Sequence, residues 1–221
     1  MCGRFSRNVG LDVIQHRYRI DRTELSSQYT KSFNVAPQQQ VPVIYRENPL
    51  VLKDMQWGLI PSTYKSINAR SETIFEKATF ARILDNRCLI PVTGFYEWKE
   101  EKIGKIPYHI SVMGEEIFSF AGLYTSNQGK ESFTILTCEP NTHMTPIHDR
   151  MPVILDREGE RLWLDPELTH HQIAELVVPY SKPMVSYPVS KFVNDPANNN
   201  EQCLVEYKPL RSPQRTLDDF F

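Results

Sequence analysis

Cysteine at position 2, directly after Met1, carries the most distinctive chemistry in this chain. Once Met1 is trimmed, Cys2 presents a free α-amine and a thiol on adjacent carbons. An α-amine with a pKa of about 7.7–8.0 is partly neutral at neutral pH, and a thiol near about 8.5 is a strong nucleophile in its minor thiolate form. Together they can capture an aldehyde. The amine condenses with it to an imine, and the thiol closes on the imine carbon to give a five-membered thiazolidine.

Such capture needs proton donors and acceptors, an anion near the iminium and a clamp on the substrate. Beside Cys2-Gly3-Arg4, three polar clusters in apolar, turn-rich surroundings offer residue types for those roles: Asn68-Ala69-Arg70, Gly94-Phe95-Tyr96-Glu97-Trp98 and His148-Asp149-Arg150. An imidazole with an ordinary pKa of about 6.5, such as His148, can supply a proton near neutral pH. Glu97 could shuttle the proton lost on imine formation and offset the iminium charge. Taken singly, each cluster also has a structural explanation. Asn68 and Arg70 read as a turn and a surface ion pair, Glu97 as the exposed residue of an edge strand, and His148 as a satisfied structural histidine.

The composition excludes few functions. A chain of 221 residues with 40% hydrophobic and 24% charged residues can bury one sizeable core, and its net charge of −2 is neutral on nucleic acid, which needs only a local basic patch. No apolar run approaches a membrane span, and the first twenty residues lack the apolar core of a signal peptide. The expectation is a cytoplasmic protein, nucleoid-associated if prokaryotic, with no membrane partner. Cys2, Cys88, Cys138 and Cys203 are scattered with no C-x-x-C, so neither a metal site nor a disulfide framework nor any cofactor is indicated. Cys88 and Cys138 stand in apolar runs and read as buried small hydrophobes.

The elements that must position these residues are short. Leu11–Ile20 suggests a helix; Val41–Arg46 and Leu50–Trp57 suggest strands joined as a hairpin near Asn48-Pro49. Thr73-x-x-Glu76 reads as a capping box opening a helix to about Leu84. Cys88–Val92, Phe95–Lys99, Tyr108–Met113, Ile117–Tyr124 and Phe133–Cys138 follow as runs rich in β-branched and aromatic residues, punctuated by glycines. Pro152–Leu155 reads as a further strand, Pro166–Val178 as a helix and Met184–Val189 as a late strand. The fold class is α+β, with a mainly antiparallel sheet, a barrel-like core and a few flanking helices. No linker divides the chain before Tyr207, so residues 1–207 read as one domain. Trp57 and Trp98 read as core rather than as stacking platforms.

MCGRF, FNVAP, WGLIP, INARSET, RCLIP, GFYEWK, FAGLY and IHDRMPVIL, in that order, resemble the motifs of the SOS-response-associated peptidase family, and the resemblance runs from residue 1 to about 207. Members of that family crosslink to abasic sites in single-stranded DNA. The resemblance implies that Cys2 is the terminal nucleophile after Met1 is removed, by self-processing peptidase activity or by an aminopeptidase. It implies that Asn68 holds the abasic nucleotide, that Glu97 supports the α-amine and that His148 is the general acid/base on the sugar. Arg4, Arg70, Lys77 and Arg150 stand where phosphate contacts are expected, with Asn34 of FNVAP a further candidate for substrate contact. The same groups could run the reaction backward, so slow reversal is also expected. One departure is that Pro61-Ser62-Thr63-Tyr64-Lys65 lacks the Trp common after WGLIP, leaving Tyr64 or Ile60 to serve against the DNA bases.

Residues 208–221, KPLRSPQRTLDDFF, lie outside the resemblance, and their prolines, polar neighbours and terminal position predict disorder. Within them Gln214, Leu217, Phe220 and Phe221 have the spacing of short peptides that dock onto ring-shaped sliding clamps. Two other readings stand beside aldehyde capture. One is an N-terminal nucleophile amidotransferase, which also begins Met-Cys-Gly; the other is a non-catalytic single-strand DNA-binding module in which Cys2 is incidental.

Overall fold

The structure is a computed structural model that describes residues 2–47, 49–60, 66–102 and 104–207. In chain order its elements are β1 (Phe5–Arg7), α1 (Leu11–Tyr18), β2 (Arg22–Glu24), β3 (Ser32–Val35), β4 (Gln40–Tyr45), β5 (Val51–Trp57) and β6 (Asn68–Arg70). Then come α2 (Ala78–Ala81), β7 (Arg87–Val92), β8 (Gly94–Glu101), β9 (Gly104–Val112), β10 (Phe118–Asn127) and β11 (Lys130–Cys138). The chain continues through β12 (Met151–Pro152), β13 (Ile154–Leu155), α3 (Arg157–Trp163), α4 (His170–Leu176) and β14 (Met184–Pro188). The fold is the expected mainly antiparallel α+β arrangement.

Five strands close a barrel. β11, β10, β7, β4 and β5 follow one another antiparallel, and β5 then pairs in parallel with β11, with Phe133 opposite Trp57, so the sheet meets itself. Closure removes the open edges that an antiparallel sheet would otherwise expose. The interior is filled by aromatic rings. Phe5 packs 5.1 Å from Trp57 and 6.1 Å edge-on from Phe120, so β1 plugs the barrel with its first residue.

A second, five-stranded sheet runs β14-β9-β8-β1-β3. β8 is central in it, and alternation sends Phe95 and Glu97 toward the main core while Tyr96 turns to a smaller cluster with Val189, Val193 and Cys203. Asn34 and Arg4 strap that smaller cluster down. Arg4 Nη1 donates to Asn34 Oδ1 (2.8 Å) and to Val193 O (2.8 Å), and Asn34 Nδ2 reaches Asp195 O (3.0 Å) and Asn198 O (2.7 Å).

Several local expectations are corrected. The capping box at Thr73 does not form. The Thr73 hydroxyl donates to Arg70 O instead, residues Ser71–Thr73 make a single 3-10 turn, and Lys77 in extended backbone delays the helix to the four residues of α2. The helix expected from Pro166 starts at His170, where Thr169 and Gln172 form a genuine capping box. Helix α3 was not anticipated, although Asp156 announces it by accepting Gly159 N–H at its N-terminus. The Pro152–Leu155 strand is two short ones, β12 on β11 and β13 on β10. Trp57 is fully buried in the core, as are Cys88 and Cys138, whereas Trp98 is only partly covered and donates its indole N–H to Asn194. Asn48, Tyr64 and the 208–221 segment with its clamp-like motif lie outside the described residues.

Candidate active site

The N-terminal residues reach the site by strand pairing. Phe5 lies opposite Phe95 and Ser6 opposite Gly94 in the antiparallel β1–β8 ladder, and Tyr96 N–H donates to Arg4 O (2.9 Å). Traced backward along that register, Gly3 falls opposite Glu97 and Cys2 one residue beyond it, near enough for the Glu97 charge to act on its thiol. Cys2 is fully buried, and burial, then the negative charge of Glu97, raises its thiol well above the ordinary range. A proton acceptor is therefore required to make it a nucleophile.

Asn68 arrives from the opposite side. It opens β6, which pairs in parallel with β11 at Ile135, and its Nδ2 donates to Cys2 O (2.8 Å). Its Oδ1 is buried with no hydrogen-bond donor among the described residues. An orphan buried acceptor costs about 1–3 kcal/mol unless something supplies the missing proton.

Glu97 is 2% exposed, which overturns its reading as the exposed residue of an edge strand. Burial pushes its carboxyl up to about 7, so it can gain or lose a proton under physiological conditions. His148 follows a tight turn in which Asn141 Oδ1 accepts Met144 N–H and His148 N–H donates to Met144 O. Its Nε2 lies 3.6 Å from Glu97 Oε2. Burial also lowers the pKa of His148, favouring the neutral ring. Cys2, Asn68, Glu97 and His148, drawn from four separate segments, thus meet in one place.

The cations sort into two groups. Arg70 at the end of β6 and Lys77 before α2 are exposed. Arg4 is occupied with the 193–194 backbone and Asn34, and Asn34, 1% exposed, spends its amide on the same loop. Arg150 forms a bidentate pair with Glu72 (2.6 and 3.0 Å) and donates to Thr137 O (2.8 Å). Asn34, Arg4 and Arg150 therefore brace the site from within. Asn68 and Arg70 are likewise strand residues rather than a turn with a surface ion pair. Sequence reasoning missed Glu72, although it stands in the same INARSET motif as Asn68. It also passed over His109, buried on β9 with Nε2 at 3.2 Å from Ser6 Oγ.

Residues 1–196 match the family model described as SOS response associated peptidase (SRAP). This chain belongs to the SRAP family. It is 41% identical to "Abasic site processing protein YoaM" of Bacillus subtilis, across 92% of this chain and 97% of that protein. It is 32% identical to "Abasic site processing protein HMCES" of Xenopus tropicalis, across 81% of this chain and 67% of that protein. Among solved structures, a protein from Bacteroides thetaiotaomicron superposes with a TM-score of 0.83 at 30% identity, covering 94% of this chain and all of that one. Membership of the SRAP family sets aside the amidotransferase alternative. No helix among the described residues of this SRAP chain is long and apolar enough to cross a membrane.

Proposed function

We propose that this SRAP protein senses abasic sites in single-stranded DNA and captures them covalently through Cys2. The observation that supports the reading is the convergence of Cys2, Asn68, Glu97 and His148 in one partly enclosed place, with a carboxyl that titrates near neutrality. An abasic deoxyribose is mostly a closed hemiacetal. Protonated His148 delivers a proton to the ring oxygen, the C1–O bond breaks, and the C1 hydroxyl loses its proton to give the aldehyde. The Cys2 amine then adds to C1 and water leaves, forming the imine. The Sγ–H adds across the C=N bond, so an S–C bond forms and the nitrogen regains a proton. Glu97 accepts and returns the protons of the amine and thiol, which a carboxyl near 7 does at little cost. Asn68 supplies the acceptor Oδ1 to a sugar hydroxyl or to the amine.

This chemistry is lyase-like in its imine stage and requires removal of Met1, by the chain itself or by an aminopeptidase. Arg70 and Lys77 contact phosphates, and slow reversal returns the aldehyde. The relatives' names refer to abasic-site processing, and the SRAP model carries the peptidase description; both accord with the reading. The partner is single-stranded DNA bearing an abasic site, met in the compartment that holds the DNA. A sliding clamp, engaged through Gln214, Leu217, Phe220 and Phe221, is a second proposed partner. A tail peptide that binds a clamp no better than its Leu217→Ala, Phe220→Ala variant would remove it.

The decisive experiment mixes the protein, its Met1 removal verified by mass spectrometry, with single-stranded DNA carrying one abasic site. An adduct surviving denaturing electrophoresis, absent with intact DNA and with Cys2→Ala, is expected. Absence of any adduct from the processed protein would return the chain to the non-catalytic binding-module reading.

A further inference from the structure

Among the described residues, three groups face the two ring nitrogens of His148. Nε2 faces Glu97 Oε2 on β8 at 3.6 Å. Nδ1 lies 3.0 Å from the Arg150 backbone N–H and 2.9 Å from Asp149 Oδ1. Those last two contacts are mutually exclusive in chemical terms. Nδ1 must be bare to accept from Arg150 and must carry a proton to donate to Asp149. The turn therefore holds one partner for the neutral ring and another for the imidazolium, both within hydrogen-bond reach.

The two partners differ in how they are held. The Arg150 side chain is clamped by Glu72 and by Thr137 O, so its N–H is a fixed donor. The Asp149 side chain is 89% exposed and can follow the ring as its charge changes. Glu97 is not a dependable counter-ion, because a carboxyl at about 7 is half protonated where the reaction must run. Of the charges near His148 on the described residues, Lys105 on β9 opposes its protonation and Asp149 favours it.

We infer that Asp149 is a positioning residue for the proton chemistry of His148: it accepts the Nδ1–H of the imidazolium and holds it while Nε2 delivers its proton, whereas the Arg150 N–H serves the resting neutral ring whose Nδ1 is bare. The inference rests on the proposed role of His148 as the acid that opens the sugar. In that step the Nε2–H bond breaks, an O–H bond forms on the ring oxygen and the C1–O bond breaks. The C1 hydroxyl proton passes to the Glu97 carboxylate. His148 ends neutral with a bare Nε2 and its remaining proton on Nδ1, still donated to Asp149.

Three readouts on the wild type, Asp149→Asn and Asp149→Glu test this. The first is the titration of the His148 ring by NMR in the free protein, which does not depend on any reaction. The second is the pH dependence of the single-turnover rate of adduct formation. The third is the affinity for single-stranded DNA carrying a tetrahydrofuran in place of the abasic sugar. In Asp149→Asn the His148 titration is expected to move to lower pH, and the adduct rate at pH 7.5 to fall about three- to tenfold and to recover on acidification. Asp149→Glu should restore most of the rate, and tetrahydrofuran-DNA affinity should be unchanged or slightly higher, since a negative charge has been removed near DNA. An unmoved His148 titration in Asp149→Asn would overturn the inference whether or not the wild type forms adducts. A weakened affinity for the tetrahydrofuran DNA with an unshifted pH profile would also overturn it, assigning Asp149 to DNA binding. Should the wild type form no adduct, it is the proposed function that fails, and the ring titration still decides what Asp149 does.

Discussion

Glu97 and Glu160 are both glutamates with almost no exposed surface, 2% and 5%, and burial raises the proton affinity of each. Their partners separate them. Glu160, on α3, receives two hydrogen bonds from the Arg17 guanidinium of α1, at 2.9 and 3.1 Å. Arginine stays charged at any relevant pH, so the pair ties two helices together and the carboxylate is committed. Glu97 faces the His148 imidazole at 3.6 Å, beside a buried thiol. An imidazole can give up its charge, so this carboxyl keeps the freedom to exchange protons. Burial alone thus does not mark a functional acid; burial beside partners that themselves titrate does.

The sharpest way to break that comparison is to neutralise each carboxyl or its partner in turn. Glu97→Gln should lower the rate of adduct formation on abasic single-stranded DNA by about 10²–10³-fold, the range of a lost general acid/base. Its melting temperature should hold or rise, because a buried charge is replaced by an isosteric amide. A variant that crosslinks at the wild-type rate would show that Glu97 is as structural as Glu160. Arg17→Met makes the opposite test. It leaves Glu160 buried without its cation, at a cost of about 3 kcal/mol, which for a chain of this size lowers the melting temperature by roughly 10 °C. Crosslinking by the folded fraction should be unchanged.

A subtler test uses pH. Glu97 binds its proton at about 7 in the folded protein against 4.5 ordinarily, so between those values the native state holds a proton that the unfolded chain has released. Its contribution to stability therefore falls as pH rises through that window, by about 1.4 kcal/mol per unit. Burial holds His109 down to about 4 from 6.5, so there the unfolded chain holds the extra proton and stability rises with pH between those limits. The two slopes oppose each other from about 4.5 to 6.5. Relative to wild type, Glu97→Gln should gain stability with rising pH across that window, and His109→Gln should lose it. Denaturant midpoints measured at half-unit intervals would show both, and parallel curves for all three proteins would refute the assignment of these groups.

Much of this was legible in the sequence because the motifs are local. The long strands from Arg87 to Cys138 announced themselves by β-branched and aromatic runs, and the site residues by their types in GFYEWK, INAR and IHDR. The strands of two to four residues, such as β1, β2 and β6, carry too few residues for periodicity to show. Burial of Glu97 was invisible for a different reason. It depends on β1 arriving from ninety residues away to make β8 central, and no local pattern encodes a neighbour. The same holds for Arg4, Asn34 and Arg150, whose residue types suit phosphate contacts but whose partners are loops and a glutamate distant in sequence. Asp149, adjacent to His148, was readable as a neighbour but not as a partner of Nδ1.

That last division of cations gives the smallest expected effects and a clean way to refine the picture. Arg70 and Lys77 are exposed beside the strand and turn that carry Asn68, whereas Arg4 is bound into the fold. If the exposed pair meets phosphates, Arg70→Gln and Lys77→Gln should each weaken non-covalent binding to single-stranded DNA by about two- to fivefold. Each should also reduce the slope of log affinity against log salt by about 0.7, the value for one phosphate contact on a single strand. The loss should be alike for all base sequences, because phosphates carry no sequence information. Arg4→Gln should leave that slope unchanged and instead loosen the loop at residues 193–198, read as faster amide exchange there. A reduced salt slope in Arg4→Gln would mean that its guanidinium reaches the DNA despite its internal hydrogen bonds, and that the line between bracing and contacting cations falls elsewhere.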